Sequence, residues 1–442
     1  MKKIQLAIVA LLTVCSMQFV QAQDTKEYMI DGIKVIHKQV AKDVISVRMF
    51  VEGGTANYPK DLEGIENLTL NLMIDGGTKS MSKLDFRAAS EKIGTSFGAG
   101  TNLDYGSISM TCIKPYWDQS WTLFADAVMQ PALNENEFTL LRDQLVANAQ
   151  QTESDPDSYL ASLSRQVAFE KKDYAKAPEG TAASLQKLTL ADVQTYYKKI
   201  IGKKRVFLVV VGNISEADLT AKIKASFGSM PGGSVASRDS RTLLTTPKSY
   251  VEDRDIATNY IRGIMSAPFA NEPEGIAYRV GISIMGDRYF EELRTKRSLS
   301  YAPAAFYGSA AITNPYGVIY ITTIDPKQSM QVMVDELNKI KTQGFTEKEL
   351  RDKKEEFLTG YYLTLESTSN LADALGVAEL TGGWEYLDKL TESVNNLKLE
   401  DLNTVMDKYT NTIVWTYLGK QAAVSTEDFK QTTPKEKKNK PY

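Results

Sequence analysis

The chain has 442 residues, with 52 Lys or Arg, 55 Asp or Glu, one His and two Cys, for a formal charge of −3. A near-neutral balance with no dominant basic block gives no electrostatic ground for nucleic acid as a partner. A chain of this length buries enough apolar surface to need no disulfide staples. With only His37, Cys15 and Cys112 to draw on, a zinc site built from the usual imidazoles and thiolates is out of reach.

Residues 1–22 read as a Sec-type signal peptide: Met1-Lys2-Lys3 is basic, Leu6 to Val14 is almost entirely apolar, and Val20-Gln21-Ala22 is a small-residue cleavage pattern. That run is too short to cross a bilayer, and no later segment reaches the roughly 20 apolar residues needed. A soluble protein, periplasmic or otherwise exported, without a transmembrane segment is expected. Cys15 raises the question of lipidation, with attachment to a membrane as its consequence, but Val14 is bulkier than the small residue a lipidation site has before its Cys. Removal of the signal leaves Cys112 alone, so an intrachain disulfide is not expected.

Along the remaining chain His37 is expected in a strand or turn, with its hydrogen bond satisfied. Val44 to Val51 and Phe207 to Val211 read as strands, the second apolar enough for a sheet interior. Cys112 falls in the strand Ser107 to Ile113 as a core thiol. Apolar residues recur at helical spacing over Glu63 to Met73, Lys83 to Ile93, Trp117 to Met129, Glu135 to Thr152 and Leu190 to Lys199. Pro273 to Lys296 and Gln328 to Gln343 continue that pattern in the second half, and the run from Lys435 to Lys440 reads as a solvated tail.

The chain also repeats itself. Leu141-Arg142-Asp143 recurs as Leu350-Arg351-Asp352, Gln119-Ser120 as Gln328-Ser329, and Leu188 to Val193 as Leu397 to Leu402, each offset by 209. Glu63-Gly64-Ile65 recurs as Glu274-Gly275-Ile276, and Gly212 matches Gly419. Matches in one order at a near-constant offset indicate a duplicated domain. The division is residues 24–228, a linker over 229–247 rich in Gly, Ser and Thr, a second domain over 248–430, and a tail over 431–442.

Val51-Glu52-Gly53-Gly54-Thr55, Gly64-Ile65 with Gly77-Thr78-Lys79, Thr152-Glu153-Ser154-Asp155-Pro156 and above all Leu293-Arg294-Thr295-Lys296-Arg297-Ser298-Leu299-Ser300-Tyr301 carry a likeness across the mature chain. It resembles the pitrilysin/insulinase family of inverted zinc peptidases and the mitochondrial processing peptidases. The resemblance implies an α+β fold of two homologous domains. Each would be a mainly antiparallel sheet with helices packed on one face, in the processing-peptidase/LuxS-like manner, and together they would form half of a clamshell.

In active members of that family a helix carries H-x-x-E-H. Its two His share one helix face and bind zinc, its Glu polarises the metal-bound water, and a later Glu is the third ligand. The matching positions here are Asn67, Leu70 and Asn71, with Asn148 at the third-ligand position. Neutral amides are poor zinc ligands and Leu accepts no proton, so metal binding and general-base chemistry are lost together. Glu153 belongs to the element that follows the ligand, and is not a substitute for it. The resemblance therefore implies no cofactor in this chain, with zinc expected in a partner.

Arg297 and Tyr301 stand as an R-x-x-x-Y pair that, by the same resemblance, contacts substrate backbone and stabilises an oxyanion. Some bacterial relatives split the work between an H-x-x-E-H chain and a chain with the Arg/Tyr pair. The resemblance thus implies a zinc-less peptidase subunit, in a heterodimer or larger assembly with an H-x-x-E-H partner, acting on unstructured peptide. The rival reading is a scaffold or peptide-binding protein of the same fold. The chain has no G-x-S-x-G, P-loop or G-x-G-x-x-G, so serine hydrolysis and nucleotide binding have no motif behind them.

Overall fold

The computed structural model describes residues 25–308 and 311–433, so the expected signal peptide, Cys15 and the run from Lys435 lie outside the described residues. The first half opens with β1 (Lys26–Ile30), β2 (Ile33–Gln39), β3 (Val44–Glu52), α1 (Ile65–Asp75) and α2 (Lys83–Lys92). The hairpin β4 (Ser96–Thr101) and β5 (Tyr105–Ile113) precedes α3 (Trp117–Met129), α4 (Glu135–Ser154) and α5 (Pro156–Ala168). A single turn, α6 (Ala182–Leu185), and α7 (Leu190–Ile200) lead to β6 (Val206–Gly212) and α8 (Glu216–Phe227).

The second half runs β7 (Lys248–Asp253), β8 (Asn259–Ser266), α9 (Pro273–Tyr289), a π turn over Phe290–Thr295, β9 (Ala304–Tyr307) and β10 (Tyr316–Thr323). It closes with α10 (Pro326–Gln343), α11 (Glu347–Leu365), α12 (Thr368–Thr381), α13 (Leu390–Asn396), α14 (Leu399–Tyr409) and β11 (Val414–Gly419). The helix expected over Pro273 to Lys296 is thus α-helical only to Tyr289. It then widens into the π turn.

The sheets have the orders β1-β2-β6-β3-β5-β4 and β7-β11-β8-β10-β9. From β2 and β7 onward the two orders are the same, and each sheet has one parallel pair, β2 with β6 and β7 with β11, among antiparallel neighbours. Among the described residues β1 has no counterpart in the second half. The Val206–Gly212 strand is buried along its whole length, as a near-continuous apolar run requires when it sits between two neighbours and under two layers.

Both layers come from β3, whose side chains alternate by face. Ile45, Val47, Met49 and Val51 join the core formed with α1, α3, α7 and α8. Phe50, with Ile36, Phe207 and Val209, joins the core of the second half instead. The reason is an exchange of helices: α12, from the second half, lies on β3 and β6, while α5, from the first half, lies on β8 and β11. Arg48 Nε donates to Asp373 of α12 at 2.6 Å, and the Ser46 and Thr368 hydroxyls meet at 2.9 Å. Gly376 admits the Phe50 ring, and a methyl group there would overlap it.

Each exchanged helix starts at a capped break that redirects the chain. Asp155 accepts from the Ser158 amide at 2.9 Å with Pro156 in the first turn, and Ser367 accepts from the Asn370 amide at 2.9 Å. The segment between α8 and β7 is irregular but tethered to both halves. Asn57 and Ser237 exchange two hydrogen bonds of 2.9 Å, and Asn314 Nδ2 donates to the Ser240 carbonyl at 3.1 Å.

Candidate functional site: an emptied metal face and a retained basic turn

Helix α1 starts at Gly64, whose φ of 87° is left-handed and whose missing Cβ leaves room for Leu185 and the Gly180 backbone. That start turns Asn67 outward and Leu70 inward. Leu70 is fully buried beside Gly106, so the position that the resemblance aligns with the general base lies in the apolar core. Asn71 Nδ2 donates to the Asn67 carbonyl at 2.9 Å and to its side-chain oxygen at 2.8 Å, while Asn67 Nδ2 donates to the Glu179 carbonyl at 3.2 Å. The two carboxamides are thus bound to each other and to backbone.

Asn67 and Asn148 line one cavity of about 560 Å³ between α1, α4 and α5, which also takes in Glu153, Arg165 and Glu179. Asn71 does not reach it. The structure brings Asn67 and Asn148 to one cavity and keeps Leu70 and Asn71, the latter a ligand position by the resemblance, out of it. The zinc that the resemblance implies for active members does not fit this face. Both amide nitrogens and the Asn67 side-chain oxygen are committed to local hydrogen bonds, and the third position carries a neutral amide. Among the described residues no group of three or more His, Cys, Asp or Glu is placed to hold a metal ion.

Next to Asn67, on the core side of α1, Glu66 is wholly buried and accepts from the Tyr196 hydroxyl at 2.7 Å. Burial pushes its carboxyl up to about 7, against the opposing pull of the Tyr196 hydrogen bond and of the Arg205 charge. Sequence reasoning passed over Glu66. A charged residue inside the motif helix, flanked by apolar Ile65 and Leu68, was the available signal.

The retained element lies where α9 widens into the π turn. Leu299 N closes onto the Leu293 carbonyl at 2.8 Å, Ser298 takes a left-handed φ of 55°, and buried Leu293 and Leu299 pin the reversal. The chain therefore folds back, and Tyr301 returns over Arg294, whose guanidinium lies 4.2 Å from the Tyr301 ring centroid and 4.7 Å from that of Phe290. Tyr301 is 78% exposed, so its ring is not a core element.

Arg297 goes elsewhere. Its Nη1 donates to the Glu292 carbonyl at 2.8 Å and to the Glu292 carboxylate at 2.5 Å, and Lys296 Nζ meets the same carboxylate at 2.6 Å. Those two cations hold the Glu292 carboxyl down to about 2. The structure brings Tyr301 together with Arg294 rather than with Arg297. A spacing of four residues fits an α-helix, but across a π turn followed by a left-handed reversal the residue seven positions back is the neighbour. The signal available in sequence was the cluster of three cations at 294, 296 and 297 beside a single turn.

The two remaining candidates are structural. His37 lies on β2, 3% exposed, with burial lowering its pKa. Its ring has a hydrogen bond with the Ile214 backbone, and its Nε2 has no partner among the described residues. Cys112 is buried on β5 and its thiol is pushed up by burial.

Two sheets of one strand order, locked by exchanged helices, with an emptied motif helix in one half and the basic turn in the other, define a zinc-less half of a processing-peptidase-like clamshell. The chain belongs to the insulinase (peptidase M16) family. The family's Insulinase (Peptidase family M16) profile matches residues 34–182, and its Peptidase M16 inactive domain profile matches residues 187–357. It is 21% identical over 364 residues to the "Uncharacterized zinc protease YmxG" of Bacillus subtilis, covering 81% of this chain and 88% of that one. It is likewise 21% identical over 374 residues to the "Non-peptidase homolog YmxG" of Helicobacter pylori, covering 82% and 86%. Among solved structures, a peptidase M16 inactive domain from Pseudomonas fluorescens superposes with a TM-score of 0.84 at 19% identity, covering 90% of this chain and 98% of that one. A chain of complex III2 from Candida albicans superposes with a TM-score of 0.78 at 17% identity, covering 92% and 99%.

Proposed function

We propose that the chain is the zinc-less subunit of an exported M16 peptidase, pairing with an H-x-x-E-H chain and completing that partner's site for cleavage of unstructured peptide. The observation that carries this reading is the asymmetry between the halves. The motif helix is closed by its own amides, whereas Tyr301 is exposed and backed by Arg294. The Tyr301 hydroxyl donates to the oxyanion that forms on the scissile carbonyl in the partner's site, and the Arg294 guanidinium offers donors to the peptide backbone beside it. Arg297 stays with Glu292 and shapes the turn. Strand β4 is the edge strand of its sheet among the described residues, where an extended peptide can add as a further strand.

Co-purification from the native organism tests the reading. An H-x-x-E-H chain should accompany this one, with about one zinc per pair and none on the isolated mature chain. Tightly held zinc on the isolated chain, lost in the Asn67→Ala, Asn71→Ala double variant, would overturn it. The scaffold reading is favoured by one observation, the likeness to a chain of complex III2. Capture of a stable assembly that lacks any H-x-x-E-H chain would decide for it.

A further inference from the structure

The turn after α9 holds three cations, Arg294, Lys296 and Arg297, and they have unequal fates. The Glu292 carboxylate takes Lys296 and Arg297, and the Arg297 guanidinium also occupies the Glu292 carbonyl. Among the described residues Arg294 meets no carboxylate and lies between the faces of Phe290 and Tyr301. We infer that Glu292 is the positioning residue of the Arg294–Tyr301 pair: by holding Lys296 and Arg297 it leaves Arg294 as the one cation stacked on Tyr301, with its donors toward solvent.

The physical argument is competition for one place. Arg297 and Arg294 are chemically alike, and an exposed aromatic face attracts either guanidinium only weakly. That is too little for the rings to choose between them. The choice falls to the carboxylate. Charge-assisted bonds are about twice as strong as neutral ones, and Glu292 sits five residues before Arg297, where the π turn lets the side chain reach back to both the carbonyl and the carboxylate. The carbonyl bond matters as well, because it satisfies an acceptor at the end of the widened helix and so fixes the exit toward Ser298. With Glu292 neutral, Arg297 and Lys296 are released beside Arg294. Like charges then meet next to Tyr301, and the stack opens.

This inference concerns the isolated chain, and only its catalytic consequence rests on the function proposed above. The test uses the mature full-length chain with 15N-labelled arginine. The stacked Arg294 side chain should show upfield ring-current shifts, assigned through Arg294→Lys. In Glu292→Gln those shifts should collapse toward exposed-arginine values while the melting temperature stays near that of the wild type, and Glu292→Asp should recover part of them. Retention of the shifts in Glu292→Gln would overturn the proposal. In the reconstituted pair, Glu292→Gln should lower kcat by up to the roughly 10²-fold that misplacement of a reacting-site group costs, with KM little changed. A wild-type pair without any turnover would refute the peptidase reading and leave the resonance test of Glu292 intact.

Discussion

Two glutamates, one in each half, have been moved in opposite directions, and the contrast explains what each region can do. Glu66, on the helix that carries the emptied motif, is buried with Tyr196 and raised to about 7. Glu292, on the turn after α9, is flanked by Lys296 and Arg297 and lowered to about 2. The first region has been absorbed into the core. Leu70 packs inward, Asn67 and Asn71 close on one another, and the polar groups that remain serve the helix. The second keeps exposed charge and an exposed phenol, held in order by local ion pairs. Chemistry needs the second arrangement, because a donor that is already satisfied within its own helix has nothing to offer a substrate.

The largest effect that would break this contrast concerns Leu70. If the general-base position is now core, Leu70→Ala should cost about 2–5 kcal/mol by urea denaturation. Asn71→Ala, which removes hydrogen bonds on a half-exposed face, should cost only about 0.5–1.5 kcal/mol. Equal costs would mean that α1 still presents this position to the cavity.

The next effect follows from the Glu66 shift. Its folded-state pKa lies above the ordinary 4.5, so the unfolded chain releases this proton first as pH rises. Wild-type stability should therefore fall between about pH 4.5 and 7, by on the order of 3 kcal/mol at most. Glu66→Gln should flatten that slope in thermal melts recorded across the window. A slope of the opposite sign would show that the Arg205 charge outweighs burial.

Glu292 gives the smallest effect and the reverse sign. Its pKa is depressed from 4.5 to about 2, so its contribution is present above about pH 4.5 and lost as pH falls through 2. An ion pair near the surface is worth about 0–1 kcal/mol. The stability gap between wild type and Glu292→Gln should therefore be small at pH 6 and vanish near pH 2. A gap that persists at pH 2 would assign the effect to packing.

Much of the fold was legible because periodicity and repetition report local burial. The run Phe207 to Val211 was apolar enough for a sheet interior, and the near-constant offset anticipated two sheets of one strand order. What was not legible was long-range. The helix Thr368–Thr381 was not read from sequence, and its cover of β3 and β6 of the other half depends on a contact, Phe50 with Gly376, between residues far apart in the chain. β4 also escaped notice, because Ser96–Thr101 has two glycines and little apolar character and is fixed only by its pairing with β5. In the site, the loss of the metal motif could be read directly from Asn67, Leu70 and Asn71. The partner of Tyr301 could not, because the path from Arg294 back to Tyr301 runs through a π turn and a left-handed Ser298 that a helical count does not contain.

The central claim is that this chain completes another chain's active site, and turnover by the H-x-x-E-H partner measures it directly. The partner should cleave an unstructured peptide slowly alone and much faster with the wild-type chain. With Tyr301→Phe, assembly should be unchanged and kcat should fall by about 10²–10³, the usual cost of one oxyanion donor. A partner equally active alone, or a Tyr301→Phe pair with full turnover, would contradict the account.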